Sequence, residues 1–177
     1  MRILSALLVA VMLGSTGLAQ EKKPEPGPRF SVAYEGELYP QTSPKTTMTS
    51  ISKALQRERI DYLVAHLVDP AYADVHVPKF YKDRFKKTID QERERPDHDK
   101  RVKEAFDAVV KEVIDHMASE PKESGYLTRL LKDGTIEEAG TSAKVTHKDV
   151  PGVVLTLRQA EGRWFMVNEN EATRNPK

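Results

Sequence analysis

The chain has 177 residues, 28 Lys and Arg against 27 Asp and Glu, 38% apolar residues and no cysteine. A net charge this close to zero gives no general attraction to nucleic acid or anionic lipid. The lack of cysteine excludes disulfides, thiol catalysis, thiolate metal sites and a lipid-modified N-terminal cysteine, so stability must come from a packed core.

Residues 1–20 carry one positive charge at Arg2, an apolar run from Ile3 to Leu13, and small residues ending in Gly17-Leu18-Ala19. This is the pattern of a secretory signal peptide cleaved after Ala19, with an apolar core too short to favour a membrane span. An uncleaved N-terminal anchor is the alternative. The expectation is a secreted or periplasmic protein with a signal peptide at 1–19 and no stable membrane insertion after its removal. Residues 20–29 (QEKKPEPGPR) set three prolines among charged residues and read as a flexible leader. Residues 30–168 suit a single domain, followed by a polar tail at 169–177.

Phe30, Val32 and Tyr34 alternate with Ser31, Ala33 and Glu35, which predicts a short edge strand. Ser43-Pro44 is a helix-start signal, an N-cap hydroxyl before a proline at the first helical position. Met48, Ile51 and Leu55 then recur at helical spacing. After a pause at 57–59, Ile60, Leu63, Val64 and Leu67 form a second apolar face that Pro70 is expected to stop. The two segments read as a helical hairpin or one bent helix.

Pro78 is expected to open the next helix, with Val77, Phe80, Tyr81, Phe85 and Ile89 as its buried stripe. Asp97 or Asp99 can cap a further helix, in which Val102, Phe106, Val109, Val110, Val113, Ile114 and Met117 give the strongest helical periodicity of the chain. Pro121 is expected to close it. A short helix carrying Tyr126, Leu127, Leu130 and Leu131 should end at Asp133-Gly134.

Beyond Gly134 the period becomes two. Strands are expected at 143–147, 153–159 and 163–168, with a further one at 135–138, and Val150-Pro151-Gly152 has the residues of a type II turn. The fold class is therefore α+β, with N-terminal helices packed on a small C-terminal antiparallel meander of three to four strands.

Ala160-Glu161-Gly162 fits a three-residue hairpin loop with a left-handed glycine. That loop would pair Gln159 with Arg163, Leu157 with Phe165 and Leu155 with Val167 on the face shared with Val153. Thr156 would pair with Met166, and Arg158 with Trp164, on the face of Val154. Val154, Arg158, Trp164 and Met166 thus form a candidate ligand-binding set. The same face could instead lie beneath a helix or meet a protein partner, with Arg158 over Trp164 only a cation–π pair.

The densest polar cluster is Tyr62, His66, Asp69, Asp74 and His76. Tyr62, His66 and Asp69 are candidate acid–base groups, because positions four and three apart share a helical face. His66 and His76 with a carboxylate could hold zinc. The competing reading is structural: Asp69 and Pro70 end a helix, Asp74 turns a loop, and the histidines are surface or satisfied core residues. His116, beside Asp115 on the long helix, suits a core or helix-dipole role. Residues 79–87 (KFYKDRFKK) interleave bases with aromatics, but the aromatics fall on the buried stripe, so a solvated basic face is preferred to a nucleic-acid surface. No nucleophile elbow, phosphate loop or calcium loop is present, and no cofactor is implied.

Helices first, then a meander finishing on "GRWFMVNE", resemble the α+β cone of the ketosteroid-isomerase-like (nuclear transport factor two-like) superfamily. The stretch KALQRERIDYLVAHLVDPAYAD is similar to the opening of those domains, and also to small secreted bacterial proteins of no assigned function. The resemblance spans residues 46–168. It implies a cone-like sheet and any of several roles, since that superfamily holds isomerases, dehydratases and non-catalytic binding or assembly domains. Its isomerases resemble one another in a Tyr and Asp facing a general-base Asp, and no position here matches them. Residues 77–131 also exceed what the cone holds between its first helices and its sheet. The functional expectation is a non-catalytic binding or interaction module for a small molecule or protein. The alternatives are a small hydrolase or isomerase with a pocket on the Trp164 face, and a structural assembly subunit whose oligomeric state the sequence leaves open.

Overall fold

The structure, a computed structural model, describes residues 25–167. The expected signal peptide, residues 20–24 of the leader and the whole of the tail lie outside the described residues. The predicted α+β architecture is present: among the described residues five α-helices precede a four-stranded antiparallel meander of order β1-β2-β3-β4.

Helix α1 (Pro44–Gln56) starts as its sequence predicts. Ser43 Oγ accepts from the Thr46 amide at 3.2 Å, and Thr46 Oγ1 accepts from the Ser43 amide at 2.9 Å, with Pro44 in the first turn. This reciprocal cap satisfies two donors that no helical carbonyl can reach. Helix α2 (Ile60–Tyr62) runs directly into a π-helical turn, Leu63–Leu67, closed by the Val68 amide on the Leu63 carbonyl at 2.9 Å.

The prolines behave differently from the expectation. Pro70 begins α3 (Pro70–Phe85) instead of ending its predecessor, with Asp69 as N-cap accepting from the Ala71 amide at 3.0 Å. A proline at the first helical position lacks only a donor that would be unpaired anyway. Pro78, expected to open the helix, sits inside α3. Burial of Val77 and Tyr81 on either side carries the helix through the missing hydrogen bond. Pro121 likewise opens α5 (Pro121–Asp133), which follows α4 (His98–Ser119) almost without a break.

The predicted strand at 30–34 is absent. Arg29 and Val32 exchange hydrogen bonds at 3.0 and 2.9 Å across a tight turn in which Phe30 and Ser31 both have positive φ. Stacking of Phe30 on Phe106, with ring centroids 4.9 Å apart, holds this unusual conformation. The leader is therefore anchored at its last residue: Arg29 also donates to the Ala65 and Pro70 carbonyls and pairs with Asp74.

The sheet comprises β1 (Thr135–Ala139), β2 (Ser142–Thr146), β3 (Leu155–Ala160) and β4 (Arg163–Val167). Gly152 has the positive φ of +81° that the predicted turn requires, and the Val153 amide bonds the Val150 carbonyl. The β3–β4 loop has two residues, not three, because Glu161 and Gly162 both take positive φ. Such a primed turn matches the twist of its strands. Ala160 now pairs with Arg163, Gln159 with Trp164, Arg158 with Phe165 and Leu157 with Met166. The one-residue change moves Trp164 and Met166 to the face of Leu155 and Leu157.

That face is the core. Ala143, Val145, Leu155, Leu157 and Trp164 are buried there, and α1 lies along the sheet, reaching β4 and β1, with α5 packed on α1. Each large side chain so buried contributes roughly 1.5 to 3 kcal/mol. Tyr62, Val77, Tyr81, Phe106, Val109 and Leu130 continue the same core between the helices. Arg158, Arg163 and Phe165 face the other way, and the Arg163 guanidinium covers the Phe165 ring at 4.9 Å. The outer edge of β4 is occupied: the Trp164 amide bonds the Gln41 carbonyl at 3.0 Å, Gln41 Nε2 bonds the Trp164 carbonyl at 2.7 Å, and the Asp69 amide bonds the Met166 carbonyl at 2.8 Å.

Candidate functional site

The polar cluster singled out in the sequence is built around the π-helical turn. Tyr62 is fully buried; its hydroxyl accepts from the Glu35 amide at 3.2 Å, and burial pushes its pKa up to about 12. Its ring lies 4.3 Å from Tyr39 and 4.9 Å from His66, and Tyr34 meets His66 edge-on at 5.5 Å. His66 is buried and donates Nε2–H to the Val32 carbonyl at 3.0 Å. Burial, with the nearby Arg163 and Arg29 charges, holds its pKa below the ordinary histidine value.

Asp69 caps α3 and takes the Arg158 guanidinium. Asp74 holds Arg29, and the His76 ring packs on Tyr72 at 4.4 Å. Tyr62, His66 and Asp69 are thus close in the chain and in space, but each applies its polar atoms to the backbone or to an ion pair that positions the fold. His66 and His76 have different neighbours, and no group of three His, Asp or Glu able to hold a metal occurs among the described residues.

The four candidate ligand-binding residues are divided. Trp164 is buried in the core, whereas Arg158 lies on the opposite face reaching Asp69, so the expected Arg158–Trp164 pair does not form. Val154 and Met166 instead line opposite ends of an apolar groove along α5. Its main hollow, about 620 Å³, is walled by Leu63, Val64 and Val68 from the π-turn, Tyr72 of α3, Val113 and Met117 of α4, Leu127 of α5, and Met166. Leu127 is shared with a hollow of about 350 Å³ that includes Val153, Val154 and Leu155. Met117, His116 and Leu127 also border a smaller one of about 210 Å³ with Glu120 and Glu123.

Helix lengths create the groove. α4 has 22 residues against 16 in its antiparallel partner α3. Its first half buries Ala105, Phe106 and Val109, while Val110, Val113 and Met117 are half-covered and Ile114 is exposed. His116, expected in a core or dipole role, stands exposed at the rim with Nε2 3.6 Å from Glu123. Val113 and Met117 belong to the periodic apolar stripe of the long helix. The signal for a groove was present in an apolar stripe that outruns the helix available to cover it.

No family description matches the chain, and neither a curated protein nor a solved structure matches it. An open hollow of several hundred cubic ångströms with largely apolar walls and polar groups gathered at its rim is the usual form of a small-molecule site.

Proposed function

We propose that the protein is a secreted or periplasmic binding module, without catalysis of its own, whose site is the groove between α3, α4 and α5. The carrying observation is the 620 Å³ apolar hollow over Val113, Met117, Leu127 and Met166. A ligand with an apolar body gains about 25 cal/mol for each Å² it removes from water there. The polar cluster supports the non-catalytic reading, because Tyr62 and His66 are buried in stacked rings and bonded to backbone. The export reading rests on the sequence of residues 1–19.

Val113→Trp is the test, since it fills the hollow from a half-covered position on a regular helix. Wild-type protein should bind a fluorescent apolar dye and be stabilised by it on heating. The variant should keep its circular dichroism and lose that dye response. Equal dye binding by a folded variant would remove the groove as the site. Mass analysis of the exported protein should find Gln20 as the first residue.

A further inference from the structure

The rim of the groove has a charge pattern that the walls do not explain. Across its three hollows the charged lining residues are Glu112, Asp115, Glu120, Glu123 and His116, with no Lys or Arg among them. Asp115 is paired with Lys111 at 2.5 Å, and Glu123 faces His116. Among the described residues no cation pairs with Glu112 or Glu120. Both side chains are exposed, Glu112 at the main hollow and Glu120 where the groove narrows.

We infer that the groove takes a single-chain amphiphile with a cationic head, the chain lying on Val113, Met117, Leu127 and Met166 and the head at the acidic rim. This rests on the groove being the binding site. The head-group assignment follows from complementarity. An anionic amphiphile such as a fatty acid would bring its carboxylate against a rim of carboxylates with no lining Lys or Arg to receive it, and repulsion of this kind selects between otherwise similar ligands. A neutral head would gain no charge–charge attraction from Glu112 or Glu120. The protein's own C-terminal residues do not fit the apolar walls, since 168–177 (NENEATRNPK) contain no large apolar side chain.

The experiment compares three twelve-carbon probes below their micelle concentrations: dodecyltrimethylammonium, dodecyl maltoside and laurate. Calorimetric titration of the purified protein should rank them cation, neutral, anion. The cation's affinity should fall as salt rises, because the rim is exposed and screened. Glu112→Gln/Glu120→Gln should weaken the cation roughly three- to tenfold, the scale of one or two exposed charge contacts, and leave the maltoside unchanged. Val113→Trp should weaken all three.

Equal affinities for the three heads, or a cation preference that survives the double substitution, would overturn the head-group assignment while leaving the groove intact. No binding of any probe, or binding indifferent to Val113→Trp, would overturn the groove and the inference with it.

Discussion

His66 donates its Nε2 hydrogen to the Val32 carbonyl at 3.0 Å, tying the π-helical turn to the tight turn of the N-terminal segment. The bond needs only the neutral ring, and burial opposes the charged one. In the unfolded chain the ring takes its proton near the ordinary value of about 6.5. Between that value and the lower folded one, the unfolded state binds more protons, so stability rises with pH. The His66 contribution to stability should therefore be full above neutral pH and be lost progressively as pH drops below about 6.5. His66→Phe keeps the ring contacts to Tyr62 and Tyr34 but loses the proton. Urea unfolding across this range should show a shallower pH slope in the variant, and an unchanged slope would remove His66 as its source.

Gly134 joins α5 to β1 at a point where no side chain fits. A Cβ there would stand 2.3 Å from the Leu130 carbonyl oxygen and 2.4 Å from Val145 Cγ1. Its φ is an ordinary −64°, so the requirement is close approach rather than backbone freedom. Gly134→Ala should destabilise by about 1 to 3 kcal/mol, the usual cost of forced overpacking, read from the urea midpoint.

Pro78 removes one donor from the interior of α3, while its own side is exposed. Pro78→Ala restores the bond to Asp74 and relieves the contact of the proline ring with that carbonyl. A gain of about 1 to 3 kcal/mol is expected, seen as a higher melting temperature. No gain would mean that the local helix geometry has already absorbed the cost.

Asp69 serves two partners, the Ala71 amide and Arg158. Asp69→Ala should lose about 1 kcal/mol for the cap. Arg158 is 54% exposed, so its pairing is weakened by solvent. A double-mutant cycle with Arg158→Ala should return a coupling of no more than about 1 kcal/mol. A much larger value would make the pair a principal tie between sheet and helices.

These residues also show which parts of the fold were legible in the sequence. The Ser43 cap, the long periodic stripe of α4 and the meander after Gly134 each depend on neighbours in the chain, and each is where the residues place it. Pro70 and Pro121 look like stops because a proline just after one helix and a proline opening the next leave the same local pattern. The hairpin register turned on Glu161 adopting positive φ, which its residue type disfavours. The groove depends on how far α4 extends beyond α3, a relation between elements distant in sequence. The polar residues of the π-turn are adjacent in the chain, but their burial, and so their chemistry, depends on Tyr34, Tyr39 and Val32 folding over them from a distant segment.

The hydrogen bonds from Gln41 and Asp69 to β4 matter beyond the fold of one chain. A sheet grows by offering unpaired backbone groups to an incoming strand. On β4 those groups at Trp164 and Met166 are already engaged, which among the described residues leaves β1 as the edge open to addition. There Glu137 and Glu138 are consecutive and exposed, one on each face of the strand, and a second copy aligned on this edge would set carboxylate against carboxylate on both faces. The sheet is thus protected against self-propagation in two ways, by occupation on one side and by repulsion on the other. Neutralising the pair, as in Glu137→Val/Glu138→Thr, would turn a quiet border into a template for fibrous association.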